Sequence, residues 1–198
     1  MELWDFYARF YGILRSNPVS YFILKHENQS IDKLLQLRQP TQSKSYALDL
    51  GTGLGESLKH IPSDFTRIFA IDKSSKMISF ARHKYQEVDF SIGDAIQTPY
   101  ASGSMDLLMC VGLSEYVENV DELMKEIHRL LSNSGYAIFT SAPPTLLNLV
   151  RKFFGHSLYV RSKGEIENRL IDSGLNLIET STTLLQDQYL ITREQIKP

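Results

Sequence analysis

From residue 45 onward, short apolar runs rich in β-branched and aromatic residues alternate with longer stretches whose apolar positions recur at helical spacing. That alternation predicts βαβ units and a parallel sheet. Tyr46 to Leu50 reads as the first strand, Arg67 to Ile71 as the second and Val88 to Ile92 as the third. Met105 to Val111 is a nearly continuous apolar run, as expected of a fourth strand buried on both faces. Glu56 to His60 reads as a short helix stopped near Pro62, and Ser74 to Tyr85 as a longer one capped by its serine. The clearest helix follows the fourth strand, where Val120, Leu123, Met124, Ile127, Leu130 and Leu131 share one face.

Asn133-Ser134-Gly135 predicts the end of that helix, with the glycine in a left-handed turn, and Tyr136 to Ser141 a fifth strand. After Pro143-Pro144 an irregular aromatic and basic stretch is expected over 145–162. Lys163 to Ser173 then reads as a helix stopped by Gly174, followed by a final antiparallel pair at Asn176 to Thr180 and Gln188 to Thr192. The first 40 residues differ: Trp4, Tyr7, Tyr11 and Leu14 share a helical face, and Pro18 breaks the pattern before a second apolar segment, Tyr21 to Leu37. These are helices ahead of the sheet, serving either as a plain covering layer or as a lid.

Composition narrows the picture. A chain of 198 residues with 42% hydrophobic and 22% charged residues suits one main domain of ordinary globular type. The division expected is a helical cap or lid at 1–40 and a main domain at 41–198, with a substrate-side insertion at about 142–162. A net charge of −2 offers no reason for the whole chain to seek nucleic acid. The single cysteine, Cys110, excludes an intrachain disulfide framework and a Cys-rich zinc site, and suits a reducing compartment. The histidines at 26, 60, 83 and 128 lack metal-ligand spacing, so no metal is expected. No apolar run approaches the roughly 20 residues of a membrane span, and the start, Met-Glu-Leu-Trp, is unlike a secretory signal. A cytoplasmic protein is expected, as monomer or homodimer.

The candidate chemistry sits in Leu48-Asp-Leu-Gly-Thr-Gly-Leu-Gly-Glu56, directly behind the first strand. Glycines there let the backbone turn sharply and approach a ligand closely. Asp72, at the end of the second strand and about 20 residues on, is placed for the two hydroxyls of a ribose, or to cap the helix after it. A dinucleotide loop reads G-x-G-x-x-G and aims a helix N-terminus at a pyrophosphate. Here the pattern is G-x-G-x-G, with Asp49 before it and Glu56 after it. Flanking acids suit a ligand that carries positive charge and no phosphate, which disfavours a nicotinamide-dependent oxidoreductase.

With those residues in place the chain resembles the class I S-adenosylmethionine-dependent methyltransferases, in particular the small-molecule group of ubiquinone and menaquinone methyltransferases. LDLGTGLGE is similar to that family's first motif and IDKSSKMISFAR to its acidic strand end and following helix. GDAIQTPYASGSMDLLMCV, ELMKEIHRLLSNSGYAIFTSAPP and IDSGLNLIET resemble its later segments in order. The resemblance implies an α/β, Rossmann-like, doubly wound sheet of seven mostly parallel strands with an antiparallel last strand, and S-adenosyl-L-methionine as methyl donor, leaving S-adenosyl-L-homocysteine. It implies that Asp49, Gly51, Thr52 and Gly53 hold the methionine moiety, that Asp72 with Lys73 takes the ribose, and that Asp94 and Ala95 address the adenine. Cys110 or Val111 would line the cofactor floor, and Tyr7 and Tyr11 would close over it.

The substrate side departs from the family. Relatives often carry a histidine after the fourth strand, where this chain has Gly112-Leu-Ser-Glu115-Tyr116. The candidates left are Glu115 and Tyr116 as catalytic groups and His156 and Tyr159 as substrate contacts. Aromatic side chains over the pocket favour an apolar or aromatic small molecule methylated on O, N or C. Arg151, Lys152 and Arg161 around Phe153-Phe154 suit either an anionic membrane surface or an acidic substrate group. The alternative is a non-catalytic S-adenosylmethionine-binding or scaffold protein with the same fold.

Overall fold

A computed structural model describes residues 18–39, 45–153 and 158–193. Its centre is a seven-stranded sheet built from β1 (Tyr46–Leu50), β2 (Arg67–Asp72), β3 (Val88–Ile92), β4 (Met105–Cys110), β5 (Leu131–Ser141), β6 (Asn176–Thr182) and β7 (Asp187–Thr192). The strands lie in the order β3-β2-β1-β4-β5-β7-β6, and only β7 runs antiparallel to its neighbours. The order reverses between β1 and β4, which opens a crevice at the carboxyl ends of those strands.

Burial on both faces explains the continuous apolar strands. Successive residues of a strand point to opposite sides, so Leu48, Leu108, Cys110 and Phe139 enter one core with Leu123, Met124 and Ile127. Ala47, Leu107, Met109 and Ile138 enter the other, with Ile31, Leu34 and Leu35. The first of these cores is covered by α3 (Val120–Leu130) and α5 (Lys163–Asp172), the second by α1 (Pro18–Leu35). Helix α2 (Ser75–Lys84) begins as expected at Ser74, whose hydroxyl accepts from the Met77 N–H at 3.2 Å.

Several elements differ from the sequence expectation. Pro18 is not one of them: it is the first described residue of α1, just ahead of the second apolar segment as expected. The helix expected at Glu56 to His60 shrinks to one 3₁₀ turn, Leu58–His60, because the Ser57 hydroxyl is committed to Asp49 at 2.6 Å. The stretch expected to be irregular contains α4 (Leu146–Phe153), where the Thr145 hydroxyl accepts from the Asn148 N–H just behind the double proline.

Gly135 is the sharpest correction. It is absent from the glycines with positive φ and lies inside β5, which follows α3 without an intervening turn. It is needed for space: a Cβ there would stand 2.7 Å from the Met105 carbonyl oxygen. Gly135→Ala is therefore expected to cost about 1–3 kcal/mol of stability by overpacking. Gly164→Ala, in the open first turn of α5, is expected to gain up to ~1 kcal/mol. Urea unfolding of both variants checks the pair, and equal stabilities would refute the steric account.

Candidate functional site

The crevice at the strand ends deepens into a cavity of about 750 Å³ between the glycine loop and α1. Gly51, Thr52 and Gly53 form its floor, Asp72 and Lys73 one side, Asp94 and Ala95 the next, and Val111, Leu113 and Tyr116 the far side. The loop is held by the end of β2: the N–H groups of Gly51 and Thr52 donate to the Ile71 carbonyl at 2.9 and 3.0 Å. The Asp72 carboxylate accepts from Gly53 N–H at 2.9 Å and from Ser74 N–H at 2.8 Å. Gly53 has φ +53° and nothing within 4 Å of where a Cβ would be, so its missing side chain keeps the floor open.

Asp94 accepts from Ile96 N–H at 3.2 Å and pairs with Lys73 at 2.9 Å, which links the second and third walls. That stretch is fixed from behind by Glu126, which accepts from the N–H and hydroxyl of Thr98 at 2.9 and 2.7 Å and is itself bonded to Arg129. On the α1 side, the two ring nitrogens of His60 meet Asp32 at 2.6 Å and Asn28 at 3.1 Å, fastening the helix to the turn behind the glycine loop.

Residues 48–139 match a family model described as a methyltransferase domain. Over that stretch the chain is similar to methyltransferase domains. The biotin biosynthesis bifunctional protein BioHC of Cellvibrio japonicus is 31% identical over 121 residues, 60% of this chain and 24% of that one. This chain spans 24–36% of the length of the first curated relatives it matches. A structure of the Haloferax volcanii Trm112 methyltransferase activator in complex with a protein assigned as a methyltransferase aligns over 98% of this chain and 99% of that one, with TM-score 0.79 and 16% identity. The magnesium protoporphyrin IX methyltransferase of Synechocystis, solved with S-adenosylhomocysteine bound, aligns over 96% and 98%, with TM-score 0.73 and 20% identity. At such identities the structures establish the fold, which is the Rossmann-like sheet anticipated from the strand pattern.

Of the expected site residues, Gly51, Thr52, Gly53, Asp72, Lys73, Asp94, Ala95, Val111 and Tyr116 come together around the cavity. Four expected site residues do not. Cys110 is fully buried in the core and does not line the cavity, and burial holds its thiol well above the usual range. Asp49 is 1% exposed and lies beneath the loop rather than in the cavity wall. Glu115, 2% exposed, also stays out of the wall, and its carbonyl accepts from the Tyr159 N–H at 2.8 Å. Tyr159 is outside the wall too, with the Arg161 guanidinium over its ring. Tyr7, Tyr11 and His156 lie outside the described residues.

Arg161 is a further correction. It is 7% exposed and donates to the carbonyls of Ser114, Val117 and Glu118, pinning the loop after β4 instead of facing a membrane or an acidic substrate. Gln186, in the turn between β6 and β7, and His60 line the cavity although sequence reasoning gave neither a site role. Nothing local marks Gln186, because only the return of β7 beside β5 brings it there.

Burial pushes the Asp49 carboxyl up to about 7, against hydrogen bonding from Ser57 and Thr52 and with help from the nearby charge of Asp72. Its folded pKa lies above its unfolded 3.8, so its contribution to stability is full below pH 4 and is lost as pH rises to about 7. At 1.36 kcal/mol per unit this amounts to roughly 4 kcal/mol. Denaturant titrations of the ligand-free protein at pH 5 and 8 are expected to show about 3 kcal/mol of that fall, the part between pH 5 and about 7, in the wild type and its absence in Asp49→Asn. Parallel pH dependences would sink the assignment.

Proposed function

We propose that the chain binds S-adenosyl-L-methionine in this cavity and transfers its methyl group to an O, N or C atom of a small, largely apolar or aromatic molecule. The observation that carries this is the Asp72 carboxylate at the end of β2, placed in the cavity wall beside an open glycine floor. Its two oxygens accept from the N–H groups of Gly53 and Ser74, which fixes the carboxylate at the strand end where a ribose diol would be met.

A phosphate-bearing cofactor fits less well. The glycine loop leads into one 3₁₀ turn, so the helix dipole on which a pyrophosphate would rest is missing. The acids around the loop also divide their work. Glu56 is engaged by Lys84 at 3.0 Å and Lys59 at 3.6 Å, and Asp49 holds its proton near neutrality, which leaves Asp72 as the main source of negative potential.

When bound, S-adenosylmethionine supplies a methyl group already activated by a sulfonium. What remains for the protein is to orient the acceptor and exclude water, and α1 with the loop after β4 enclose the cavity for that purpose. Tyr116 is the titratable group of the expected catalytic pair that reaches the wall; Glu115 does not. That placement of Glu115 favours a second reading, in which the fold binds S-adenosylmethionine and acts through a partner without catalysis.

Formation of S-adenosylhomocysteine over a panel of phenols, quinols and amines separates the two: cofactor binding without turnover on any member supports the second. Asp72→Ala is expected to weaken S-adenosylhomocysteine binding by roughly 1.5 to 3 kcal/mol, as loss of charge-assisted hydrogen bonds should. Calorimetry on a variant that retains its circular dichroism spectrum measures this, and unchanged affinity would remove Asp72 from the site.

A further inference from the structure

The cavity has one wall whose polarity nothing in the protein uses. Gln186 is 8% exposed and faces the cavity, and its buried Oε1 has no hydrogen-bond partner among the described residues. The backbone of Gln186 is fixed on both sides: its N–H donates to the Thr183 hydroxyl at 3.2 Å, and its carbonyl accepts from the Thr183 N–H at 2.8 Å. The carboxamide is therefore delivered to the wall by a closed turn. Its Nε2 stands 3.9 Å from the position a Cβ would take at Gly112, the residue that leaves β4.

The surroundings of that amide are apolar. Val111, Leu113 and Val117 line the same end, with Tyr116. A buried carbonyl oxygen without a donor costs on the order of 1–3 kcal/mol, and in a low-dielectric wall it rewards a ligand that brings one. The cations lining the cavity are occupied or elsewhere: Lys73 pairs with Asp94, Lys59 with Glu56, and Lys25 is on α1. Among the described residues that line the cavity, none of the lysines lies on β4, in the loop after it or in the β6–β7 turn with Gln186.

We infer that Gln186 is the specificity-determining contact for the methyl acceptor, its Oε1 accepting a hydrogen bond from an uncharged O–H or N–H on an otherwise apolar, ring-sized molecule. This deepens the proposed function and rests on the cavity being the S-adenosylmethionine site. A site built to hydrogen-bond such a group rejects the analogue that lacks it, because the buried partner is then stranded. The acceptor class is thereby narrowed to protic molecules such as phenols, quinols or ring amines, and away from carboxylates and phosphates.

The test compares the wild type with Gln186→Leu, using 1-naphthol, 1-methoxynaphthalene and naphthalene as probes on the S-adenosylhomocysteine-loaded protein. The wild type is expected to bind 1-naphthol about tenfold more tightly than the two probes without a donor. Gln186→Leu should erase that preference while keeping S-adenosylhomocysteine affinity within twofold. Without any ligand, Gln186→Leu should raise the thermal midpoint by about 2–4 °C, since it removes a stranded polar atom.

A wild type that shows no preference for 1-naphthol, or a variant that keeps it, overturns the assignment. A fall in midpoint shows that the amide serves the fold, and overturns it too. Failure of the wild type to bind S-adenosylhomocysteine refutes the cofactor reading instead, and the naphthol comparison on the ligand-free protein then decides the role of Gln186.

Discussion

Two backbone N–H groups, one from the glycine loop and one from the start of α2, share the carboxylate of Asp72. Together with the Ile71 carbonyl, which takes the N–H groups of Gly51 and Thr52, that carboxylate decides where the loop sits. A glycine-rich loop has much backbone entropy to lose, and here three hydrogen bonds from the end of β2 hold it. The strand in turn is fixed by its pairing with β1 and β3. The cavity floor is thus an extension of the sheet, and the residue that holds it is also the one best placed to meet a ribose.

Charge is arranged to leave the centre of the cavity simple. Around the rim, Lys73 is neutralised by Asp94, and Glu56 by Lys84 and Lys59. Beneath the floor, Asp49 is desolvated strongly enough to share its proton at neutral pH. A cation entering the cavity meets Asp72 beside the glycine loop, with Glu27 and Asp32 lining the α1 side. The far end, beyond β4, carries no such charge and is suited to uncharged surface.

Strands were the most legible part of the chain. β1 and β3 begin and end where the pattern puts them, β1 because a buried central strand is written as a nearly unbroken apolar run, β3 because apolar and polar residues alternate along a half-exposed edge strand. The cofactor side was nearly as clear, since its residues cluster at the strand ends and each motif is local. The substrate side was not. Glu115 and Arg161 are charged side chains that the fold buries, and the three carbonyls that hold Arg161 lie 43 to 47 residues away from it along the chain. Helix α4 was hidden because the double proline outweighed the threonine that caps it. Gln186 was hidden because its significance depends on the order of strands across the sheet.

The double attachment around residues 142–161 has one more effect. Arg161 binds the loop after β4, its own N–H donates to the Ala142 carbonyl at 3.0 Å, and Asn148 ties α4 to the Pro143 and Leu185 carbonyls at 2.9 and 3.0 Å. The stretch between is a loop with both feet anchored in the frame, and lengthening such a loop costs only slowly growing entropy. Sequence drift, insertion or outright replacement there would leave the strand ends and the cofactor floor untouched. The fold thus sets a segment that can vary in length and sequence on a frame that need not change with it.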